Sequence, residues 1–336
     1  MDKIIFIDNL KIFNKWASKT YEYKINKIIE NNKLFKYFDF ENLKEMNDYS
    51  DILNSEYIIF GWNMTPISKY YTTKYNYYKK YIKNLEDENF VNKHLTKLLV
   101  HKKKILLTQD LHRYDYKNGI NGLIKYIKKN NFYAILTPYI DSINIKKIKS
   151  KTNIKILHLP HFIDENFFKK MEMKKKYDVF IYGNIDKNHY PLRNRMKDIL
   201  INLNKSNKIK LLYWDKNLKN HYFKFDSKKS NIKLSEQINQ SWMTLCTISK
   251  YNFLVGKYFE TSMSNSIVIG NMTKEGKKIW GNNYIHIDNN MSDIEIENII
   301  INNFKNKDDI KKKINLMNIK IKKFFLSNFC NYLHNL

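Results

Sequence analysis

The sequence predicts an α/β protein with two Rossmann-like, doubly wound domains that face a cleft, followed by C-terminal helices. The chain has 336 residues, which is enough for two domains of ordinary size. Short apolar runs rich in Ile, Val and Leu alternate with longer amphipathic segments, as in parallel sheets with helices on both faces. A charged segment at 169–176 separates two such series.

Ten apolar runs are predicted as strands. They are 4–7, 57–60, 105–108, 133–137, 154–159, 179–182, 210–213, 244–248, 267–270 and 284–287. They lack the clean two-residue alternation of strands with one wet face, which indicates burial on both faces. Helical spacing predicts helices at 122–129, 192–203, 257–264 and 293–304. Residues 69–103, which are polar and rich in Tyr and Lys, are predicted as covering helices or an insertion.

The same pattern divides the chain into an N-terminal Rossmann-like domain at 1–165, a C-terminal one at 166–306, and terminal helices at 307–336. An apolar stripe with helical spacing runs along the last segment and consists of Ile314, Met317, Ile321, Phe324 and Phe325. These helices are expected to return toward the N-terminal domain. No apolar run approaches the ~20 residues that span a bilayer, so the protein is expected to be cytoplasmic, either soluble or held at a membrane surface.

The formal net charge of +27 comes from 60 Lys and Arg against 33 Asp and Glu. The only arginines are Arg113, Arg193 and Arg195. Arg binds phosphate and guanine with the paired donors of its planar guanidinium group. Because nearly all the positive charge comes from Lys, the charge alone does not indicate a nucleic-acid-binding protein. Two explanations stay open. The abundance of Lys, Asn and Ile is typical of an AT-rich genome, and an anionic partner (nucleic acid, glycan or membrane surface) is the alternative.

A strand, a glycine turn and a helix follow one another at 178–195. Gly183 ends the apolar run and Pro191 starts the next helix. A backbone that comes close to a phosphate or sugar needs glycine at such a turn. Arg193 and Arg195 follow within the first turns of the helix, where a guanidinium can bind a pyrophosphate. An ordinary β-turn followed by solvated arginines is the alternative interpretation.

A second glycine, Gly256, opens another predicted helix. Lys257 lies in its first turn, where a cation adds to the preference of a helix N-terminus for an anion. Glu260 follows on the same helix, where a carboxylate can accept hydrogen bonds from two vicinal hydroxyls. The alternative is an exposed glutamate on an ordinary Rossmann helix.

A third polar cluster, at 108–115, follows a predicted strand. Ligands of open α/β sheets bind beyond the carboxyl ends of the strands. Asp110 and His112 are therefore candidate general bases for an acceptor hydroxyl. A helix-capping aspartate beside an exposed histidine is the alternative interpretation. No spacing of His, Cys or carboxylate residues predicts a metal site.

Four segments, in this order and spacing, resemble the GT-B glycosyltransferases of the glycosyl transferases group 1 superfamily and its CgeB-like relatives. Segment 255–270 is similar to the family's helix with a basic residue, Phe-Glu and small residues before a buried strand. Segment 234–245 resembles the preceding helix and strand, and segment 180–193 resembles the start of the C-terminal domain. Segment 158–167 resembles the interdomain connection.

The resemblance implies a glycosyltransferase that needs neither a metal nor a cofactor. It would move a sugar from a UDP- or GDP-linked donor to an acceptor glycan, protein or lipid. Glu260 would bind the ribose hydroxyls, and Gly256 and Lys257 would hold the diphosphate. Gly183 and Arg193 would face the donor phosphate from the other side.

Two departures from the family pattern leave other functions open. Asn252 stands where many retaining members have a second glutamate, and Asn265 stands where the family usually has glycine. The alternatives are a basic nucleic-acid-binding or DNA-modifying protein and a catalytically degenerate GT-B scaffold.

Overall fold

The computed structural model describes residues 4–8, 30, 35–39, 43, 45–61, 96–108, 119–214 and 227–335. The chain forms two compact units. The first comprises Met1–Pro160 with Cys330–Leu336, and the second comprises His161–Phe329. Each unit contains one parallel sheet with its own hydrophobic core.

In the part of the chain that the structure describes, the first sheet has six strands. They are β1 (Ile4–Asp8), β2 (Phe35–Asp39), β3 (Tyr57–Phe60), β4 (Lys104–Leu107), β5 (Ala134–Thr137) and β6 (Lys155–His158). They lie in the order β2-β1-β3-β4-β5-β6, and every pairing is parallel. Among the described residues, this unit includes the helices α1 (Ser50–Leu53), α2 (Gly119–Asn130) and α3 (Ile143–Lys151). The interior strands β4 and β5 are buried at every residue, as their continuous apolar runs predict.

The second sheet has five strands among the described residues. They are β7 (Tyr177–Ile181), β8 (Leu211–Tyr213), β9 (Ser241–Leu245), β10 (Ile267–Gly270) and β11 (Ile285–His286). Their order is β11-β10-β9-β7-β8, again with parallel pairing throughout. Helices α4 (Pro191–Lys205), α5 (Ser227–Asn239), α6 (Lys257–Met263), α7 (Lys274–Trp280) and α8 (Asp293–Lys305) connect or follow these strands. The predicted α/β class with two doubly wound parallel sheets is confirmed.

Local sequence signals set the starts of the helices in the second unit. Pro191 occupies the first turn of α4, where its missing N–H costs no hydrogen bond. Ser292 precedes α8, and its hydroxyl accepts a hydrogen bond from the Glu295 N–H while the Glu295 carboxylate accepts one from the Ser292 N–H. This reciprocal capping box fixes the start of α8 at the predicted residue.

The C-terminal region is helical, as predicted, with α9 (Lys307–Ile321), two short 3₁₀ turns and α10 (Phe329–His334). Four members of the predicted apolar stripe are buried, namely Ile314, Met317, Ile321 and Phe324. Phe325 is only half-buried, and instead forms a parallel bridge with Ile163. No helix among the described residues is both long and apolar enough to cross a bilayer.

Several predicted bounds shift by a few residues in the structure, and two strand assignments differ most. The sequence prediction missed β2, whose residues Phe-Lys-Tyr-Phe-Asp contain no Val, Ile or Leu and form the edge of the first sheet. The strand predicted at 244–248 begins and ends three residues earlier in the structure, as β9 (Ser241–Leu245). Its first residue, Ser241, is polar, so the apolar pattern did not include it. Of the helices predicted at 69–103, residues 69–95 lie outside the described residues, and residues 96–98 are helical.

Candidate functional site

The second sheet changes its direction of strand addition between β7 and β9. From β7 the chain adds β8 on one side, then returns to add β9, β10 and β11 on the other. Ligands of open α/β sheets bind outside the carboxyl ends of the strands at such a switch point. The chain leaves β7 through Tyr182 and Gly183, and leaves β9 through Cys246 and Thr247. The candidate site is therefore built from these two strand ends and the helix α6.

Gly183 makes the turn at the end of β7 with a φ of +83°, which is the left-handed region that favours glycine. A Cβ at this position would lie 3.1 Å from Nζ of Lys257 and 3.8 Å from Nη1 of Arg193. Both the backbone and the available space therefore call for glycine. The turn brings the chain close to two cations, Lys257 and Arg193.

Lys257, the first residue of α6, places its ammonium group at the end of β7. The side chain is only 7% exposed, and its Nζ donates a hydrogen bond to the carbonyl oxygen of Tyr182. Nζ also lies 3.9 Å from the centroid of the Tyr182 ring, close enough for a cation–π interaction. These contacts fix a positive charge beside the Gly183 turn.

The carboxylate of Glu260 is held by the side chain of Tyr182. The phenolic hydroxyl donates a 2.9 Å hydrogen bond to Oε2 of Glu260. Burial, reinforced by the neighbouring Glu260 charge, raises the pKa of Tyr182 well above its usual value, so the phenol remains a donor. The Tyr182 ring stacks on Phe180 with a centroid separation of 5.0 Å. Glu260 is thereby oriented within one cluster with Lys257.

Sequence reasoning missed Tyr182. It was assigned only to the end of a predicted strand, whereas the structure gives its hydroxyl, ring and carbonyl separate partners in the site. The available signal was its position directly before the glycine that ends a buried strand.

Arg193 lies at the same strand ends but directs its guanidinium into the protein. It is 3% exposed, and Nε and Nη2 donate to the hydroxyl and carbonyl of Thr247 at 3.1 and 3.0 Å. Nη1 donates to the carbonyl of Asn184 at 2.8 Å, and the guanidinium carbon lies 4.0 Å from the centroid of the Tyr190 ring. Burial lowers the pKa of Arg193. This side chain ties the loop after β7 to the loop after β9.

Arg195 does not join this cluster. Its guanidinium binds the Asp293 carboxylate and the carbonyls of Asn289 and Met291, in the region where α8 begins. Of the two arginines that the sequence singled out on α4, Arg193 binds the loops after β7 and β9, whereas Arg195 binds the segment between β11 and α8.

Gly256 precedes α6 with ordinary helical backbone angles, φ −53° and ψ −27°. A Cβ there would lie 3.6 Å from Oε1 of Glu260 and 3.8 Å from the imidazole of His161. A Cβ at these distances would make ordinary van der Waals contacts, so the space at this position does not by itself require glycine. Helix α6 has seven residues, about two turns, so its dipole is short and the side chains dominate the electrostatics of the site.

The loops that leave β7 and β9 also meet farther from the sheet. The N–H of Lys250 donates to the carbonyl of His189 at 2.9 Å, and the His189 and Tyr251 rings are 6.1 Å apart. Nδ1 of His189 lies 2.9 Å from Oδ2 of Asp186, and this hydrogen bond lowers the pKa of Asp186. Polar and aromatic side chains therefore border the site on this side.

The two asparagines that depart from the family pattern share one backbone property. Asn252 has φ +64° and Asn265 has φ +55°. Asparagine is the residue other than glycine that most readily adopts this left-handed conformation. Asn265 thus adopts a backbone conformation that glycine also adopts readily.

The candidate acceptor residues Asp110 and His112, and the adjacent Arg113, lie outside the described residues. The strand that leads to them, β4, ends at Leu107, and Thr108 is 1% exposed. Within the described ranges, no three His, Cys, Asp or Glu side chains come together in a group that could hold a metal ion.

A comparison with protein-family models finds no match, and a search of curated proteins finds none either. Solved structures do match, and they are GT-B glycosyltransferases. At these low identities the similarity shows the fold, and the chain has the GT-B glycosyltransferase fold.

Three of these structures match the chain as follows. HepE from Anabaena in complex with UDP-glucose is 9% identical with a TM-score of 0.53, and all of both chains is covered. A glycosyltransferase from Rickettsia africae is 12% identical with a TM-score of 0.51, over 99% of this chain and 97% of that one. TarM is 11% identical with a TM-score of 0.51, over 83% of this chain; the match spans about half of TarM, 54% of its length.

Proposed function

We propose that this protein is a glycosyltransferase of the hexosyltransferase type, which moves a sugar from a nucleotide-sugar donor to an acceptor hydroxyl. The observation that carries the proposal is the pairing of a held carboxylate, Glu260, with a buried ammonium, Lys257, at the switch point of the second sheet. HepE, which shares the fold, has been solved with UDP-glucose and with UDP. The four ordered segments of sequence resemblance favour the group 1 superfamily with its CgeB-like relatives.

In the proposed donor complex, Glu260 accepts hydrogen bonds from the two ribose hydroxyls of a UDP- or GDP-linked sugar. A carboxylate has lone pairs for several such bonds, so the hydrogen bond from Tyr182 orients it and leaves other lone pairs to accept from the ribose. Lys257 and the Gly256 backbone hold the diphosphate, and the Gly183 turn lets the main chain come close to it. The positive charge of Lys257 is already in place before the reaction, so it stabilises the negative charge of the departing nucleotide diphosphate.

Arg193 has a positioning role in this proposal. Its three hydrogen bonds to Thr247 and Asn184 hold the two loops that carry the site. Its charge adds to the positive potential that faces the donor phosphate. A guanidinium suits this task because its donors form a rigid fork.

On the acceptor side, we assign the general base to Asp110 or His112. Both come after β4 in the sequence, and open α/β sheets bind their ligands beyond the carboxyl ends of their strands. The base would take the proton of the acceptor hydroxyl as its oxygen attacks the anomeric carbon and the bond to the nucleotide diphosphate breaks. The acceptor is a hydroxyl of a glycan, protein or lipid.

The proposed transfer needs no metal, because Lys257 supplies the cation that a metal provides to the diphosphate in other enzymes. Activity measured after a chelator treatment is therefore expected to equal that of the untreated protein. Loss of activity with the chelator, and its recovery with a divalent cation, would overturn this part of the proposal.

Calorimetry with UDP-, GDP- and TDP-linked sugars tests the donor proposal. Wild type is expected to bind one of these donor classes, and Glu260→Gln is expected to bind it about tenfold or more weakly, the cost of lost charge-assisted hydrogen bonds. Glu297→Gln is the matched control, since Glu297 is a part-exposed glutamate on α8. No binding by wild type, or equal affinities for Glu260→Gln and Glu297→Gln, would count against the proposal.

A further inference from the structure

Helix α9 carries exposed aliphatic side chains on the face opposite to its buried one. Leu316 is 42% exposed and Ile319 is 66% exposed. At 100° per residue these two positions lie about 60° apart around the helix, so they form one patch. The residues of α9 that enter the core lie on the other side, namely Ile310, Ile314, Met317 and Ile321. The exposed pair therefore lies outside the buried core of this unit.

Exposed lysines surround this pair. Lys312 and Lys320 lie one helical turn before and after Leu316, and Lys323 continues the same face beyond the end of the helix. All three lysines are exposed. We refer to Lys312, Leu316, Ile319, Lys320 and Lys323 as the basic–aliphatic face.

The charge of this region is strongly one-sided. Residues 307–323 include seven lysines and two aspartates. The two aspartates occupy the first turn of α9, away from Ile319, and they pair with Lys311 and Lys313. Residues 310–323, which form the centre and the end of the helix, therefore include lysines and no acidic residue.

The neighbouring helix α7 extends the basic surface. Nζ of Lys320 lies 3.9 Å from the position that a Cβ on Gly281 would occupy, directly after α7. The last turn of α7 carries Lys277 and Lys278, both exposed. Lys320 thus reaches the end of a second helix that also carries exposed lysines.

We propose that the basic–aliphatic face docks the protein on a membrane surface that contains anionic lipids. Lysines near such a surface are attracted by its negative potential, and aliphatic side chains between them enter the boundary between headgroups and acyl chains. Lysine stems also pack along apolar surface while their ammonium groups reach the phosphates. Nucleic acid would attract the lysines equally, but it offers no apolar layer for Leu316 and Ile319. This inference does not depend on the proposed glycosyl transfer.

Co-sedimentation with vesicles tests the proposal, using the full chain with vesicles of phosphatidylcholine alone and of phosphatidylcholine with phosphatidylglycerol. Wild type is expected to bind the mixed vesicles and to bind pure phosphatidylcholine at least about tenfold more weakly. The variants Leu316→Gln/Ile319→Gln and Lys320→Glu/Lys323→Glu are each expected to lower binding to the mixed vesicles about tenfold. All four positions are exposed, and circular dichroism checks that both variants keep the fold.

Matched controls come from other surfaces of the chain. Ile294→Gln removes an aliphatic side chain that is 73% exposed on α8, and Lys125→Glu/Lys129→Glu reverses two exposed lysines on α2. Both controls are expected to bind the mixed vesicles like wild type. The proposal is overturned if wild type ignores the anionic lipid or if the controls lose as much binding as the test variants. It is also overturned if Leu316→Gln/Ile319→Gln binds the mixed vesicles as tightly as wild type does. If that variant also binds duplex DNA, the lysines of this face belong to a nucleic-acid-binding surface instead.

Discussion

The hydroxyl of Tyr182, at the end of β7, donates a 2.9 Å hydrogen bond to Oε2 of Glu260 on α6. The same tyrosine accepts a hydrogen bond from Lys257 through its carbonyl oxygen. One residue at the end of a strand therefore sets the positions of both charged side chains proposed to bind the donor. This arrangement makes Tyr182 the residue on which the geometry of the site depends.

Tyr182→Phe is expected to weaken donor binding about tenfold, because Glu260 loses the charge-assisted hydrogen bond that orients it. The affected interaction is made equally with bound donor and with the transition state, so KM should rise while kcat stays close to wild type. Steady-state kinetics with varied donor measures both. Tyr258→Phe is the matched control, since its buried hydroxyl donates to the Asn271 carbonyl. A fall in kcat with unchanged KM would contradict this role.

Gly183→Ala is expected to lower both stability and donor affinity. The φ of +83° costs about 1–2 kcal/mol for a residue with a Cβ, and that Cβ would lie 3.1 Å from Nζ of Lys257. Gly119→Ala isolates the backbone cost, because Gly119 has φ +56° and nothing within 4 Å of its Cβ position. Denaturant unfolding should show a loss for Gly183→Ala at least as large as that for Gly119→Ala, whereas calorimetry should show weaker donor binding for Gly183→Ala alone. Equal donor affinities would argue against contact between this turn and the donor.

Arg193→Lys is expected to destabilise the protein by about 3–5 kcal/mol. A lysine cannot reproduce the forked bonds to Thr247 and Asn184, and its charge would remain buried. Arg195→Lys, on the same helix, should cost about 1 kcal/mol or less, because the Arg195 side chain is part-exposed and pairs with an exposed Asp293. Urea denaturation compares the two, and equal losses would show that Arg193 does not tie the loops together.

Lys175 should make stability depend on pH. Its Nζ donates to the carbonyls of Ser241 and Asn265, and burial, with a smaller effect of Lys170, lowers its pKa from 10.5 to about 7. The unfolded chain therefore binds more protons than the folded one between pH 7 and pH 10.5, so the free energy of unfolding rises with pH across that window. Relative to Lys175→Met, wild type should gain about 1 kcal/mol or more from pH 7 to pH 10. A pH-independent difference between the two proteins would contradict the lowered pKa.

Much of the fold follows from the sequence because buried parallel strands are continuous apolar runs. Tyr57–Phe60 and Ile267–Gly270 match their predicted bounds residue for residue. The edge strand β2 could not be predicted in this way, since an edge position needs less burial and its Lys36 and Tyr37 are only half-buried. The spacing of apolar residues likewise does not determine the order of the strands in a sheet. The switch point between β7 and β9 could therefore be located only in the structure.

Residue types in the site were more predictable than their partners. The sequence singled out Gly183, Lys257 and Glu260 from glycine turns and helix position, and the structure brings these three together. It also singled out Arg193 as a phosphate neighbour, but three of its donors bind the protein. Pairings across two strand ends depend on tertiary packing, which is why the links made by Tyr182 could not be derived from spacing.

The central claim is that Glu260 binds the ribose of a nucleotide-sugar donor at the switch point of the second sheet. Calorimetry of wild type and Glu260→Gln against the preferred nucleoside diphosphate and its 2′,3′-dideoxy form tests it most directly. Glu260→Gln is expected to weaken binding of the ribonucleotide about tenfold and to leave binding of the dideoxy form unchanged, because the dideoxy form lacks the hydroxyls that the carboxylate would bind. Equal losses with both ligands, or no binding of either by wild type, would contradict it.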